Sequence, residues 1–246
     1  MRVVFLFDVD NTLLDNDTVA SDLRRYLDAE VGADCGAGYW AIFDEIREEL
    51  GYADYLGALQ RYRDRHPRDL RVLAVSHFLI SYPFADRLFP GALDVVARCA
   101  ARGPVAILSD GDAVFQPRKI SRSGLYDAVG GNVMVYIHKE RELDDVATRF
   151  PGDHYVLVDD KVRILAAVKA AWGERVTTVF PRQGHYANDA GEVARHPMPD
   201  VTVQRIGDLA GHDRDALVAA ARRRQPATRR AGAEAGSPEG RGEGKL

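Results

Sequence analysis

Cysteine, long apolar runs, an excess of positive charge and a dinucleotide-type glycine pattern are scarce or absent in this sequence, and each shortage removes a class of protein. The only two cysteines, Cys35 and Cys99, lack metal-ligand spacing, which argues against a thiolate zinc site and a disulfide-dense secreted scaffold. Two buried thiols in a reducing, cytoplasmic setting are the expectation. No apolar stretch is long enough to span a bilayer, and the run Val3 to Phe7 meets acidic residues too soon to be a signal segment. It reads as a strand, in a soluble chain. Lys and Arg number 33 against 37 Asp and Glu, a formal charge of -4, so no overall basic field draws in nucleic acid or an anionic membrane. Any anionic ligand must therefore be held locally. No Gly-x-Gly-x-x-Gly follows the first apolar run, which disfavours a dinucleotide-dependent reductase.

What is present is enough apolar material for one large domain, or for a domain with an insertion: 246 residues, 46% of them hydrophobic. Short runs rich in β-branched residues recur at Val3 to Phe7, Val105 to Leu108, Val133 to Tyr136, Tyr155 to Val158 and Val176 to Phe180, with a weaker one at Val201 to Val203. Helical periodicity fills Ala92 to Arg102, Val114 to Ser123 and Val162 to Trp172. Alternation of this kind predicts an α/β fold, a doubly wound, Rossmann-like parallel sheet. The interval between the first two strands is too long for an ordinary crossover. Apolar and aromatic residues recur there at helical spacing in Val19 to Leu27, Tyr39 to Leu50, Tyr55 to Tyr62 and Leu70 to Ile80, predicting a small helical cap inserted over residues 15–89. The α/β core then comprises 1–14 and 90–221. From Arg222 on, Arg, Gly, Ala, Glu and Pro dominate, and such a composition predicts a disordered tail over 222–246, to which no function is assigned.

Ligands of open α/β sheets collect beyond the carboxyl ends of the strands. Three strand ends carry informative residues: Asp8-Val9-Asp10-Asn11-Thr12, then Ser109-Asp110-Gly111, then Asp159-Asp160-Lys161. Any one of them alone reads as a turn or cap, since Asp, Asn, Ser and Gly favour such positions. Several carboxylates converging on one crevice do not fit that reading, because their mutual repulsion calls for a cation or a raised pKa. Magnesium, a hard ion that prefers oxygen ligands and shares them with a substrate phosphate, suits such a cluster.

The run Phe7-Asp8-Val9-Asp10-Asn11-Thr12-Leu13-Leu14 resembles the first motif of the haloacid dehalogenase superfamily, and Ser109, Lys139 and Asp159-Asp160 resemble its second to fourth motifs in order. The inserted helices resemble the family's first type of cap. This resemblance implies a Mg2+-dependent phosphatase acting on a small phosphorylated substrate. Asp8 would be the nucleophile that becomes an aspartyl-phosphate, and Asp10 the general acid and base. Ser109 would bind phosphoryl oxygens, assisted by backbone N–H groups at Asp110 and Gly111 where a helix begins, and Lys139 would offset charge at Asp8. The metal would be held by Asp8, the Asp10 backbone carbonyl, and Asp159 or Asp160, with Asp160 the better match. The Ile137-His138-Lys139-Glu140 stretch departs from the Gly-Lys-Pro common in the family, which leaves Lys119 and Lys161 as rivals.

Other functions implied by the same fold are phosphoryl transfer to a second substrate, as in a phosphomutase, or a non-catalytic binding module. Dehalogenation is disfavoured, because family members that cleave carbon–halogen bonds typically lack the acid at the position of Asp10. His185, Tyr186 and Arg182 follow the fifth strand and read as a solvated loop more readily than as part of a site mouth. Tyr39, Trp40, Tyr52, Tyr55 and Tyr62 read mostly as cap core, and His66 and His77 as structural.

Overall fold

The structure, a computed structural model, describes residues 1–222. Among these, β1 (Val3–Phe7), β2 (Val105–Asp110), β3 (Val133–Tyr136), β4 (His154–Val158), β5 (Val176–Pro181) and β6 (Val201–Val203) form one parallel sheet in the order β3-β2-β1-β4-β5-β6. Every residue of β1 and β4 is buried, the environment that runs of Val, Leu and Phe require. Alternate side chains leave opposite faces, so Val3, Phe5 and Phe7 enter one core while Val4 and Leu6 enter the other. The strand order reverses direction at β1, which opens a crevice beyond its carboxyl end.

The insertion that follows β1 carries four α-helices, α1 (Asn16–Tyr26), α2 (Ala33–Leu50), α3 (Tyr55–Arg65) and α4 (Leu73–Ser81). Asp15 starts α1 by accepting the Thr18 N–H at 2.9 Å, and Asp54 starts α3 by accepting the Gly57 N–H at 2.7 Å. Gly51 ends α2 at φ +79°, in the left-handed region that a side chain would strain. The two ends of this insertion lie side by side. Leu14 bridges Leu88, the Asp15 N–H donates to the Arg87 carbonyl at 2.8 Å, and the Phe89 N–H donates to the Leu13 carbonyl at 2.9 Å.

The chain continues through α5 (Ala92–Ala100), α6 (Phe115–Arg122), α7 (Leu125–Ala128), α8 (Leu143–Arg149) and α9 (Val162–Trp172) around the sheet, then α10 (Gly184–Asn188), α11 (Ala190–Ala194) and α12 (Arg214–Ala220). The insertion meets the core through aromatic rings: Tyr55 of α3 lies 5.2 Å from Phe115 of α6, and Phe84 lies 5.7 Å from the same ring. Both cysteines are buried and free. No helix of the described residues is long and apolar enough to cross a membrane.

Two expectations need adjustment. Strand β2 runs two residues past Leu108, because Ser109 and Asp110 keep pairing with Val135 and Tyr136 of β3, so both belong to the strand rather than to the loop after it. Helix α8, between β3 and β4, went unnoticed in the sequence; with seven residues it offers too few turns for its periodicity to stand out. Arg222, placed at the head of the expected tail, closes the described chain in a turn, and 223–246 lie outside the described residues.

Candidate active site

Asp8 is the first residue past β1, Asp159 and Asp160 are the first past β4, and these neighbouring parallel strands bring their ends together. Ligand oxygens of all three carboxylates lie within 4.8 Å of one another, and all three residues are buried. Lys139 reaches them from the turn after β3, with Nζ 2.5 Å from Asp8 Oδ1 and 2.6 Å from Asp159 Oδ2. Asp110, at the end of β2, positions that lysine by accepting its backbone N–H at 2.7 Å. Thr12 ties the two strand ends together: its hydroxyl donates to Asp8 Oδ2 at 3.3 Å and accepts the Asp160 N–H at 3.0 Å. The Ser109 hydroxyl lies 3.4 Å from Asp8 Oδ1 and accepts from the Gln116 amide at 3.0 Å.

The predicted phosphate cradle at Gly111 is different from the expectation. The Gly111 N–H donates to the Tyr136 carbonyl at 3.0 Å, and α6 starts only at Phe115, with Asp112 accepting the N–H groups of Val114 and Phe115. That N–H group is committed to the sheet edge, and the side chains of Thr12, Ser109 and Lys139 are what contact Asp8 instead, with Gln116 behind Ser109.

Asp10 lies apart from the carboxylate cluster. Its Oδ1 accepts from Lys119 Nζ at 2.7 Å, and the same ammonium donates to Asn16 Oδ1 at 2.9 Å. Of the three lysines that compete for one position in the sequence, Lys139 is buried on Asp8 and Lys119 is buried on Asp10, while Lys161 follows Asp160 and lines the cavity between the insertion and the sheet. Between the two aspartates' loop and the insertion stands Asn11, held at φ +58°. Its Oδ1 accepts the N–H groups of Asn16 and Asp17, and its Nδ2 donates to Asp17 Oδ1 at 3.0 Å. His185 closes this joint, with Nδ1 2.6 Å from Asp17 Oδ1. Gly184 is obligatory beside it, because at φ +71° an added Cβ would lie 2.4 Å from Asn11 Cβ.

A cavity of about 250 Å³ separates the insertion from the sheet, with Asp10, Asp160, Lys119 and Lys161 on its sheet side and Arg24, Trp40, Phe43, Arg47, Tyr52 and Tyr55 on its helical side. His185 and Tyr186 also line it, so the solvated-loop reading is replaced by a short helix at the cavity mouth. Trp40 and Tyr55 are core residues, as expected, and cavity walls as well. Tyr39 and Tyr62 are buried, whereas His66 and His77 are exposed on the insertion.

Burial makes the charge state of this floor unusual. It raises Asp159 to about 6 against the pull of Lys139, and it lifts Asp160 well above the ordinary carboxylate range. For Lys139 burial opposes the charge, yet Asp159, Asp8 and Asp110 outweigh it and hold the ammonium firmly protonated. The four carboxylates of Asp8, Asp110, Asp159 and Asp160 against the two ammonium groups of Lys139 and Lys161 leave two negative charges uncompensated if all are ionised, the balance that a divalent cation would restore. Both oxygens of Asp160 are buried without a hydrogen-bond partner, an arrangement that is costly unless a cation or ligand satisfies them. Hard oxygen donors of this kind fit Mg2+.

Residues 3–172 match the haloacid dehalogenase-like hydrolase family. The chain belongs to that family. As a family member it is a hydrolase, and this is the resemblance that Asp8, Ser109, Lys139 and Asp159-Asp160 carried. A crystal structure from Burkholderia xenovorans LB400, described as haloacid dehalogenase-like, is 62% identical with a TM-score of 0.85, covering 88% of this chain and 98% of its own. A family hydrolase from Xanthomonas campestris is 20% identical (TM-score 0.61; 89% of this chain and 93% of that one). L-2-haloacid dehalogenase from Xanthobacter autotrophicus, with chloropropionic acid covalently bound, is 16% identical (TM-score 0.55; 86% and 98%). The latter two share the fold. No curated protein matches the chain.

Gln116 escaped the sequence reading as a site residue. The signal was there: Gln116 and Lys119 are three apart on α6, and both are buried, so they form a polar stripe on the inward face of an amphipathic helix.

Proposed function

We propose that this hydrolase is a Mg2+-dependent phosphatase that cleaves a small phosphate monoester through an aspartyl-phosphate on Asp8. The observation that carries the reading is Asp160, whose two buried oxygens have no partner in a cluster that also contains Asp8 and Asp159. Asp8, Asp159 or Asp160, and the Asp10 carbonyl would hold the ion, whose chemistry when bound is to neutralise charge on the phosphoryl oxygens.

Asp8 attacks phosphorus, and the bond to the ester oxygen breaks as the new bond to Asp8 forms. Asp10, anchored through Oδ1 by Lys119, gives its proton to the departing oxygen. It then takes a proton from a water that attacks the aspartyl-phosphate, releasing inorganic phosphate and restoring Asp8. Ser109, with Gln116 behind it, and Lys139 hold phosphoryl oxygens next to Asp8. Residues 15–89 act as the cap over a core of 1–14 and 90–221. A cytoplasmic setting is part of the same proposal, supported by the free, buried thiols.

Carbon–halogen cleavage is the reaction of one fold relative, but a halide leaves without a proton, so it gives the acid role of Asp10 no task. The test is release of inorganic phosphate from an aryl phosphate with and without Mg2+. Turnover should require the ion and fall about a thousandfold or more in Asp8→Asn, as loss of a covalent nucleophile does. Undiminished turnover in that variant refutes the reading. Phosphate appearing on an added alcohol instead of in solution would identify a phosphotransferase, and normal Mg2+ binding with no turnover of any ester would identify a binding module.

A further inference from the structure

The helical side of the cavity carries cations that the phosphoryl chemistry on the opposite side leaves unused. On the insertion, Arg25, Arg61, Arg65, Arg71 and Arg87 each pair with a carboxylate. Arg24 does not. Its guanidinium lies 3.9 Å from the centroid of the Trp40 ring, and it lines the cavity from the last turn of α1 without an ion-pair partner among the described residues. Stacking on an aromatic face orients a guanidinium while leaving its N–H fork free for a planar or tetrahedral oxyanion. Arg47 lines the same wall, held loosely by Asp44 at 3.5 Å. Trp40 contributes a further unused donor: its indole N–H is buried and has no acceptor from the protein.

Around these donors the wall is apolar, formed by Phe43, Tyr52 and Tyr55. The cavity's acidic groups do not cancel them. Asp10 is bound to Lys119, Asp17 to His185 and Asn11, Asp110 accepts the Lys139 backbone N–H, and Asp160 belongs to the carboxylate cluster; Asp44 alone faces Arg47. At about 250 Å³ the cavity is smaller than the roughly 300–1,000 Å³ of pockets that hold drug-sized ligands, so one compact molecule must touch both walls.

We propose that Arg24, oriented by Trp40 and seconded by Arg47, forms an oxyanion subsite across the cavity from Asp10 and Asp160, selecting a small phosphate monoester that carries a second anionic group at its far end. This rests on the phosphatase reading and specifies its substrate class. Carboxylate and phosphate share the chemistry that a guanidinium fork recognises, and they differ in shape and charge.

The experiment compares phosphate monoesters of equal length whose far end is a carboxylate, a phosphate or a primary amide. The expected result is a kcat/KM at least tenfold higher for one of the charged ends than for the amide, with the larger of the two identifying the group. In Arg24→Met, and in the conservative Trp40→Phe, that ratio should fall towards one. Equal rates for charged and neutral ends, or a ratio unchanged in both variants, overturn the proposal. A second measurement is independent of turnover: calorimetric titration of Asp8→Asn protein with non-hydrolysable phosphonates bearing the same three ends. Binding tighter by tenfold or more for a charged end, lost in Asp8→Asn/Arg24→Met, supports the subsite even if no ester is cleaved. Indifference to the far end refutes it even if the protein is an active phosphatase.

Discussion

At the strand ends, Asp8, Lys139, Asp159 and Asp160 are at most 3% exposed, and Lys139 grips Asp8 and Asp159 through short charged contacts. Across the cavity, Arg24 and Arg47 are exposed, resting on or beside aromatic rings. The difference is one of freedom. Groups pinned by the sheet cannot adjust to a ligand and so suit a reaction whose geometry never varies. Groups at the ends of long side chains on an inserted layer can be exchanged without disturbing that geometry, so they suit selection among ligands.

The sharpest way to break this contrast is to neutralise the floor. Asp160→Asn should lower turnover by about a hundredfold or more, the upper end of what supporting metal-site residues cost. It should also remove the rise in Tm that Mg2+ gives the parent protein, measured by thermal unfolding with and without the ion. A retained Mg2+ shift would mean that Asp159, rather than Asp160, holds the ion together with Asp8 and the Asp10 carbonyl. Next comes the anchor of the acid. Lys119→Met should reduce kcat roughly tenfold to a hundredfold, within the contribution of a well-positioned acid and base, while leaving the Mg2+ shift in Tm intact. Equal loss of the Mg2+ response would place Lys119 with the floor. The smallest effect is expected at the joint between the two regions. The His185–Asp17 contact is partly exposed, so His185→Ala should cost less than about 1 kcal/mol in urea unfolding. A larger loss would show that the joint, rather than the insertion's own core, holds the two layers together.

Much of this arrangement could be read in the residues. Buried parallel strands announce themselves as unbroken runs such as Val3 to Phe7, and the carboxylates directly after β1 and β4 inevitably meet once those strands pair. Long side chains were harder to place. Lys119 starts on a helix whose pattern reads as an ordinary amphipathic face, and only the packed structure shows its ammonium crossing to Asp10. The Gly111 N–H was misjudged for a related reason: whether a backbone donor is free depends on where the neighbouring strand stops, and β3 extends far enough to claim it. The aromatic residues of the insertion were correctly read as interior, but periodicity cannot tell a ring packed on all sides from one with a face on a void, as at Trp40 and Tyr55.

Leu14 and Leu88 sit side by side although more than seventy residues separate them, and the backbone on either side is stitched across the gap. To the sheet, everything between them is a bead on a closed loop of thread. Evolution can restring that bead, longer, shorter or differently folded, without moving a single strand, so lineages sharing this scaffold are free to diverge in diet while keeping the same teeth.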